Sequence, residues 1–328
     1  MRALEYGDSG ADVRSFQTDL TRLGYELPRF GVDGVYGKET EQAAKDACLD
    51  NHWDYCSWGP CPVWLQEWIH ERATVLPTGW APSGRGMFIQ SMNTVDGVDE
   101  VDRVVSSVGL KWVCVQAHWQ YEGAKSSNTY NWPDSFGLPK SYGCTSNARA
   151  VVDRFLNLGV TVIPFSYPVP GKHEEVVKIL KDFAEVWESP TVVIDPEAEW
   201  YRQPDEANEL AAVMRASFES WGVTSYGAPW YHRDFPFASF QSASYAMPQT
   251  YGVSTFGTTE GYGRARDEWH EYGYSRLIGL YGTYDKTDSQ MRQILNVCAS
   301  FKPPATAGWK WGTTSDPEWE HITNILPD

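Results

Sequence analysis

The sequence is poor in basic residues and contains no long apolar run. Its 328 residues include 27 Lys and Arg against 43 Asp and Glu, which gives a formal net charge of −16. Proteins that bind nucleic acid by neutralising phosphates need the opposite balance, so we expect no nucleic-acid partner. No stretch approaches the roughly 20 apolar residues of a membrane span, and the first residues lack the apolar core of a secretory signal. We therefore expect neither a membrane span nor a signal peptide.

Several catalytic motifs are also missing. There is no HExxH, no GxSxG, and no glycine-rich phosphate loop after the first apolar run, which argues against zinc peptidases, serine hydrolases and dinucleotide-binding folds. Cys48, His52, Cys56 and Cys61 lie close together, but their spacing is not a familiar CxxC zinc pattern. A zinc site, one disulfide and reduced thiols all remain open, although we expect no metal and no cofactor.

Tryptophan is abundant, with 16 residues in a chain that is 14% aromatic. Flat aromatic side chains bury a large area in a core, and their faces also stack on the C–H faces of sugars. For a single tryptophan, core packing is the commoner role. The number of them nevertheless makes a carbohydrate ligand a reasonable hypothesis.

The first 48 residues have the pattern of a small helical unit. Apolar residues recur three and four positions apart from Val13 to Leu23, after a capping pattern at Ser9 and Asp12 and before Gly24. A second helix follows the turn-rich segment 31–37, with small residues on one face. This segment resembles the peptidoglycan-binding type 1 domain through Leu4, Gly7, Gly10, Val13, Gln17, Leu20, Leu23, Gly24, Tyr25, Asp33, Gly34, Val35, Tyr36, Gly37 and Thr40.

That resemblance implies a three-helix module that recognises bacterial peptidoglycan. It places Asp33, Gly34, Tyr36, Gly37 and Thr40 near the ligand groove. The sequence departs from the family after Ala44, where Lys45 to Cys48 replace the usual Phe-Gln. We assign residues 1–76 to this module with a Cys- and Trp-rich extension, 77–85 to a linker, and 86–328 to a second domain.

The second domain alternates apolar runs with helical patterns. Eight runs occur, at residues 86–93, 110–119, 160–167, 190–197, 223–230, 245–252, 275–282 and 305–312. Eight β/α units in this length predict an α/β fold, a (β/α)8 TIM barrel, in which function lies at the C-terminal ends of the strands.

The most informative strand end is the fourth. A mostly apolar run, Thr191 to Ile194, leads into Asp195, Glu197 and Glu199, whose alternate spacing places them on one side of an extended chain. Crowded carboxylates cannot all ionise, so one keeps its proton and forms an acid beside a base, as glycoside hydrolysis requires. Capping of the next helix and a surface acidic loop are the alternatives.

Other strand ends carry side chains suited to binding sugars. Gln249 and Tyr251 follow the sixth strand, and Trp309 and Trp311 follow the eighth. Further cleft candidates are His118, Tyr167, Tyr226 and Trp230. With the acidic run, this set resembles family 25 lysozymes and, less closely, family 18 chitinases.

The two resemblances imply different roles for the same carboxylates. The lysozyme-like pattern places the general acid at Glu197 with Asp195 as its electrostatic partner. The chitinase-like pattern makes Glu199 the acid, while Glu197 orients the substrate N-acetyl group. Family 25 enzymes also carry an Asp after strand one, where this chain has Gln90, Ser91 and Asn93, with Asp96 slightly later.

These features predict a glycosidase that cuts bacterial peptidoglycan, most simply a muramidase acting as a monomer. A phage endolysin or virion-borne lysin fits, made in the host cytoplasm and reaching the wall with the help of a partner or on the particle. The alternatives are an inactive wall-binding or phage structural module, and an amidase or endopeptidase that uses the Cys/His cluster near Cys56.

Overall fold

The structure is a computed structural model, and it describes residues 2–22, 25, 27–50, 60–75, 80–119 and 148–327. The chain divides into two compact units, Met1–Pro77 and Thr78–Asp328. No helix in the described ranges is both long enough and apolar enough to cross a membrane.

The first unit contains three helices: α1 (Ala11–Arg22), α2 (Lys38–Asp50) and α3 (Val63–Val75). Val13, Phe16 and Leu20, one face of α1, are buried against Ala43, Ala44 and Ala47 of α2 and Leu65 and Ile69 of α3. The small residues of α2 allow this close packing. Leu4 and Cys61 pair across a short antiparallel bridge that connects the start of the unit to α3.

Of the four residues in the cysteine-histidine cluster, Cys48 and Cys61 lie in the described ranges. Cys48 and Cys61 are buried, and Cys61 is a free thiol whose pKa burial raises to about 12. A thiol that stays protonated is a poor nucleophile. His52 and Cys56 lie outside the described residues, so the zinc hypothesis is not tested there.

The second unit is a closed barrel of eight parallel strands, each paired with its neighbours in chain order, and the predicted TIM barrel is confirmed. The strands are β1 (Gly84–Ile89), β2 (Trp112–Trp119), β3 (Thr161–Tyr167), β4 (Val192–Ile194), β5 (Trp221–Tyr226), β6 (Tyr245–Gln249), β7 (Gly279–Gly282) and β8 (Ala305–Trp309). β1 starts two residues before the predicted domain boundary at 86.

Helices surround the barrel: α4 (Gly97–Val108), α5 (Ala148–Asn157), α6 (His173–Val186), α7 (Pro204–Ser217), the short α8 (Val253–Phe256), α9 (Thr259–Glu271), α10 (Asp288–Ser300) and α11 (Asp316–Ile325). Their apolar faces form two buried clusters against the outside of the sheet. A third cluster fills the barrel, with Phe88, Phe165, Val193, Met247 and Ala307 among its members. The barrel is therefore a packed core that supports a site at one end.

Candidate functional site

The alternation of the strands determines which side chains reach the barrel mouth. Interior residues of parallel strands recur every second position, so the residues two positions after the interior cluster form the next layer. Phe165 is followed in this way by Tyr167, Val193 by Asp195, Met247 by Gln249 and Ala307 by Trp309. The predicted acidic run and two of the predicted sugar contacts thus belong to one ring.

The loop after β4 is anchored on both sides. The Asp195 backbone N–H donates to the Ser166 carbonyl at 2.8 Å, and Ser225 Oγ donates to the Pro196 carbonyl at 2.6 Å. Trp200 is fully buried, and its indole nitrogen donates to the Pro168 carbonyl at 2.8 Å. These contacts with β3 and β5 and their loops hold the backbone that carries the three carboxylates.

A single amide links two of the carboxylates. Gln249 Nε2 donates to Asp195 Oδ1 and to Glu197 Oε1, both at 2.9 Å. Asp195 is only 4% exposed, whereas Glu197 is half-buried. A neutral amide stabilises two neighbouring negative charges less well than a cation would.

The electrostatics of this pair favour a retained proton. Burial raises the pKa of Asp195 well above its usual range, and the charges of Glu197 and Glu199 raise it further, against the lowering effect of Gln249. Burial likewise raises the pKa of Glu197, with Glu199 adding to the effect. A pair with raised pKa values holds an acid next to an anion, the combination that acid-base catalysis needs.

Glu199 occupies a different setting. It lies in a 3-10 turn (Ala198–Trp200) directly after Glu197, and Tyr167 Oη donates to its Oε2 at 2.7 Å. The phenol of Tyr167 has a raised pKa because of burial and this contact, so it remains a donor. Glu199 is therefore oriented from β3, while Asp195 and Glu197 are oriented from β6.

A tyrosine-histidine group lies beside the carboxylates. The rings of Tyr226 and His232 stack with centroids 3.8 Å apart and planes 5° apart, and the Tyr201 hydroxyl hydrogen-bonds His232 Nδ1. Burial raises the pKa of Tyr226, and the charge of Glu197 contributes. Tyr226 was predicted from its strand end. Tyr201 and His232 were not, although Tyr201 directly follows the acidic run.

Trp309 and Tyr251 form an aromatic pair at the mouth. Their rings stack at 6.1 Å with planes 22° apart, and Trp309 also contacts Phe88 and Phe165 below it. Both are partly exposed and pack on the interior cluster. Burial of the Tyr251 hydroxyl raises its pKa, and the charges of the nearby Asp195 and Glu197 raise it further.

Two further predicted sugar contacts pack against residues outside the carboxylate group. Trp311 is 1% exposed and packs edge-on against Phe155 and Trp319 in the layer between barrel and helices, so its predicted role as a sugar platform is wrong. β8 ends at Trp309, and strand alternation no longer applies two residues later. Trp230 packs beside the helical cluster under Arg264 of α9, 4.3 Å from its ring centroid. For His118 only the β2 backbone is described, and its side chain lies outside the described residues.

The end of β1 carries no acid in the described residues. Gln90 accepts a hydrogen bond from Lys310 Nζ, while Asp96 is exposed at the start of α4, with its backbone N–H donating to Glu100. An amide paired with an ammonium therefore occupies the position at which a lysozyme-like site was expected to carry Asp.

In the first unit, the predicted ligand-groove residues fall into two groups. Asp33 is exposed, and Gly37 is partly exposed. Tyr36 and Thr40 are 3% and 1% exposed, and Gly34 is buried, so in this structure these three support the loop and do not offer side chains to a ligand. Their burial follows from α1, against which the loop packs.

One residue of α1 organises that loop. Gln17 Nε2 donates to Asp33 Oδ1 at 2.8 Å, Thr40 Oγ1 at 2.9 Å and the Val35 carbonyl at 3.0 Å. Its Oε1 accepts from the Gly34 N–H at 2.6 Å. The Gln17 bond is the largest contribution to lowering the pKa of Asp33, which keeps this exposed side chain anionic.

One group of side chains in the described ranges could ligate a metal. His173, Glu206 and Glu209 bring ligand atoms within 4.8 Å of one another at the start of α6 and on α7. Glu206 Oε2 also accepts from the Gly171 N–H at 2.8 Å and lies 3.2 Å from His173 Nε2. His173 Nε2 is buried and makes no hydrogen bond to another described residue. This group was not found in the sequence because His173 is distant in the chain from Glu206 and Glu209.

Comparison with known sequences identifies one segment. Residues 9–47 match the family described as a putative peptidoglycan binding domain, in agreement with the predicted resemblance. A protein from Bacillus licheniformis named as a probable N-acetylmuramoyl-L-alanine amidase is 48% identical over 40 residues, 12% of this chain. The match spans only 11% of that relative's length.

Comparison with solved structures concerns the barrel fold. A chitinase from Chromobacterium violaceum ATCC 12472 superposes with a TM-score of 0.53 at 10% identity, covering 75% of this chain and all of that one. A chitinase-like agglutinin from Robinia pseudoacacia gives 0.52 at 9% identity, over 74% of this chain and 99% of that one. A xylanase and α-amylase inhibitor from Scadoxus multiflorus gives 0.50 at 9%, over 76% and 100%. Enzymes and binding proteins thus share this fold, and function depends on the site.

Proposed function

We propose that the protein is a bacterial cell-wall hydrolase that cleaves the glycan strand of peptidoglycan, with the first unit binding the wall. The observation that carries the proposal is the shared amide contact: Gln249 donates at 2.9 Å to both Asp195 and Glu197. Both carboxylates have raised pKa values, so a proton donor and an anion coexist at the barrel mouth.

The surrounding side chains support a sugar as substrate. The partly exposed Tyr251 and Trp309 rings offer a flat face beside the acids, and such faces stack on sugar rings. The match of residues 9–47 to a peptidoglycan-binding family favours a wall glycan. A chitinase among proteins of the same fold is consistent with a cleft for N-acetylated sugars.

In the proposed reaction, one glutamate protonates the glycosidic oxygen as the bond breaks. Asp195 is too deeply buried to reach the leaving group, and we assign it the role of charge partner to Glu197. If Glu197 is the acid, its raised pKa supplies the proton. If Glu199 is the acid, Glu197 instead orients the substrate N-acetyl group, whose oxygen attacks the anomeric carbon.

The two assignments predict different activities of the glutamate variants on substrates with different leaving groups. The test compares Glu197→Gln and Glu199→Gln on peptidoglycan and on a dinitrophenyl glycoside of N-acetylated sugars, whose leaving group needs no proton. The variant of the acid loses activity on peptidoglycan but keeps much of it on the activated glycoside. The variant of the residue that orients the N-acetyl group loses both.

The function itself is tested by product chemistry. Purified walls incubated with the protein are assayed for new reducing ends and for new free amines, with mass spectrometry of the fragments. Reducing ends that depend on Glu197 and Glu199 are expected. Binding without any cleavage would leave an inactive wall-binding module as the better description.

A second candidate is cleavage of an amide bond. The observation that favours it is the short match to a protein named as a probable N-acetylmuramoyl-L-alanine amidase. Free amines without reducing ends are the expected product in that case. The cysteine-histidine cluster that such an activity was expected to use includes His52 and Cys56, which lie outside the described residues.

A further inference from the structure

Lys310 places a cation at the barrel mouth. It directly follows Trp309, and its Nζ donates to Gln90 Oε1, so the end of β8 is linked to the end of the paired strand β1. The same nitrogen lies 5.9 Å from the centroid of the Trp309 ring. The side chain is partly buried, and burial lowers its pKa. Lys310 is thus held beside the proposed sugar platform by a neutral amide.

Lys286 lies near the Tyr251 side chain of the same platform. Its Nζ donates to the Tyr284 carbonyl at 3.2 Å and lies 4.8 Å from the Tyr284 ring centroid. This Nζ and the Tyr251 Cβ both lie within 3.1 Å of the point that a Cβ on Gly282 would occupy. Because Tyr251 stacks on Trp309, each of the two lysines lies near one member of the same aromatic pair.

Neither lysine has an anionic partner at close range. Among the described residues, no carboxylate oxygen lies within 4.0 Å of the Nζ of Lys286 or Lys310. Burial lowers the pKa of Lys286, while the charges of Glu318 and Asp285 raise it. For Lys310, burial lowers the pKa, and no acid of the described ranges opposes this effect.

Acidic and basic side chains therefore follow different strands at the barrel mouth. The carboxylates follow β4, while Lys286 and Lys310 follow β7 and β8. A neutral sugar chain would further desolvate these ammonium groups without adding an anion in contact with them, which costs free energy. A substrate that brings its own carboxylate would compensate them.

We propose that Lys310 and Lys286, with Gln90 as the neutral support of Lys310, form a subsite for a carboxylate carried by a substituent of the sugar chain. This inference rests on the proposed function, since it assumes that a glycan lies on Tyr251 and Trp309. In bacterial wall glycan, the carboxylate has two chemical sources: the lactyl ether of the muramyl sugar when it is free, and the stem peptide when it is attached. Chitin-like chains carry neither.

The experiment measures kcat/KM, by reducing ends, on four soluble substrates. These are glycan strands with the stem peptide attached, strands stripped of peptide so that the lactyl carboxylate is free, stripped strands with that carboxylate converted to a methylamide, and neutral N-acetylglucosamine oligomers. The proposal predicts a preference for at least one carboxylate-bearing strand over the methylamide strand. Which carboxylate-bearing strand is preferred identifies the source.

Three variants test the assignment. Lys310→Met reduces the ratio of kcat/KM on the preferred anionic strand to that on the methylamide strand by about tenfold, since a charged hydrogen bond is lost. Gln90→Glu reduces the same ratio because a carboxylate of the protein then pairs with Lys310. Lys310→Arg keeps the charge and most of the ratio. Lys181→Met, at an exposed lysine of α6, is the matched control and retains the wild-type ratio.

The outcomes separate this inference from the proposed function. Equal ratios in wild type, Lys310→Met and Gln90→Glu overturn the subsite while cleavage itself stands. If no variant and no wild type produce reducing ends, the proposed function fails. Isothermal titration of the same four substrates then still tests the subsite, because Lys310→Met must weaken binding of the anionic strand more than binding of its methylamide, and an equal effect overturns the inference.

Discussion

Gln249 Nε2 on β6 donates a hydrogen bond of 2.9 Å to Glu197 Oε1 in the loop after β4. β5 lies between these two elements, so the contact holds Glu197 from β6, whereas Tyr167 of β3 holds Glu199. The same amide hydrogen-bonds Asp195. The position of the proton in the site thus depends on a side chain that does not itself titrate.

Replacing Gln249 should shift the pH dependence of activity. The amide favours the charged forms and lowers the pKa of Asp195 and of Glu197 against the effect of burial. In Gln249→Leu both pKa values rise further, so the ascending limb of the kcat/KM profile moves to higher pH by about one unit. The measurement is a pH profile on a soluble glycan. Gln42→Leu, at a partly exposed glutamine of α2, is the control and should leave the ascending limb at the wild-type pH. If Gln249→Leu also leaves it there, the Gln249 amide does not set the pKa values of the site.

The buried acid should cost stability at neutral pH. The pKa of Asp195 is higher in the folded protein than in the unfolded chain, so the folded state binds more protons between the two values. Stability therefore falls as pH rises from the unfolded pKa through the folded one. Asp195→Asn removes this loss and should stabilise the barrel by about 1–2 kcal/mol at pH 8, and by less near pH 4.

Urea unfolding of the wild type and Asp195→Asn at both pH values measures the effect. Glu219→Gln, at an exposed carboxylate between α7 and β5, is the control for the loss of a surface charge. A destabilised Asp195→Asn at pH 8 would show that the charged form of Asp195 is needed for the fold. The same variant should lose activity, since it removes the charge partner of Glu197.

Trp309 and Trp311 should separate binding from stability. Trp309 is partly exposed beside Tyr251, so Trp309→Ala should raise KM on glycan strands by roughly fivefold to tenfold. Trp311 is buried between Phe155 and Trp319, so Trp311→Ala should lower the free energy of unfolding by about 3–5 kcal/mol. KM and thermal unfolding measured on both variants give the comparison. If Trp311→Ala remains folded and raises KM more than Trp309→Ala does, Trp311 contacts the substrate and the assignment is wrong.

Those two tryptophans also show where sequence-based prediction succeeds. Apolar runs locate all eight strands, and the period of two then places Asp195, Gln249 and Trp309 in one layer, because hydrogen bonding fixes the orientation of a residue in a strand. Beyond a strand end no such period applies. Three features depend on loops that meet only in the folded barrel. They are the burial of Trp311, the hydrogen bond of Lys310 to Gln90 and the stacking of His232 on Tyr226.

In the first unit the same limit applies to the loop 33–40. The family resemblance located it, but burial divides its residues into a supporting set and an exposed set. Tyr36 and Thr40 stabilise the loop from within, and Gln17 connects it to α1. The effect of a substitution on wall binding should therefore differ in kind between Gln17 and the exposed Asp33.

Gln17→Leu should abolish wall binding by unfolding the loop. Gln17 is 1% exposed, and leucine would leave the Gly34 N–H and the Thr40 hydroxyl without their partner, at a cost of about 1–3 kcal/mol for each buried unsatisfied group. Asp33→Ala should weaken binding while the unit stays folded, because its exposed carboxylate is lost from the surface of the loop. Co-sedimentation with purified walls on ice, together with thermal unfolding, distinguishes these outcomes. Glu67→Ala, at an exposed acid of α3, is the control, and equal binding by Asp33→Ala and Glu67→Ala would place the ligand groove elsewhere on the unit.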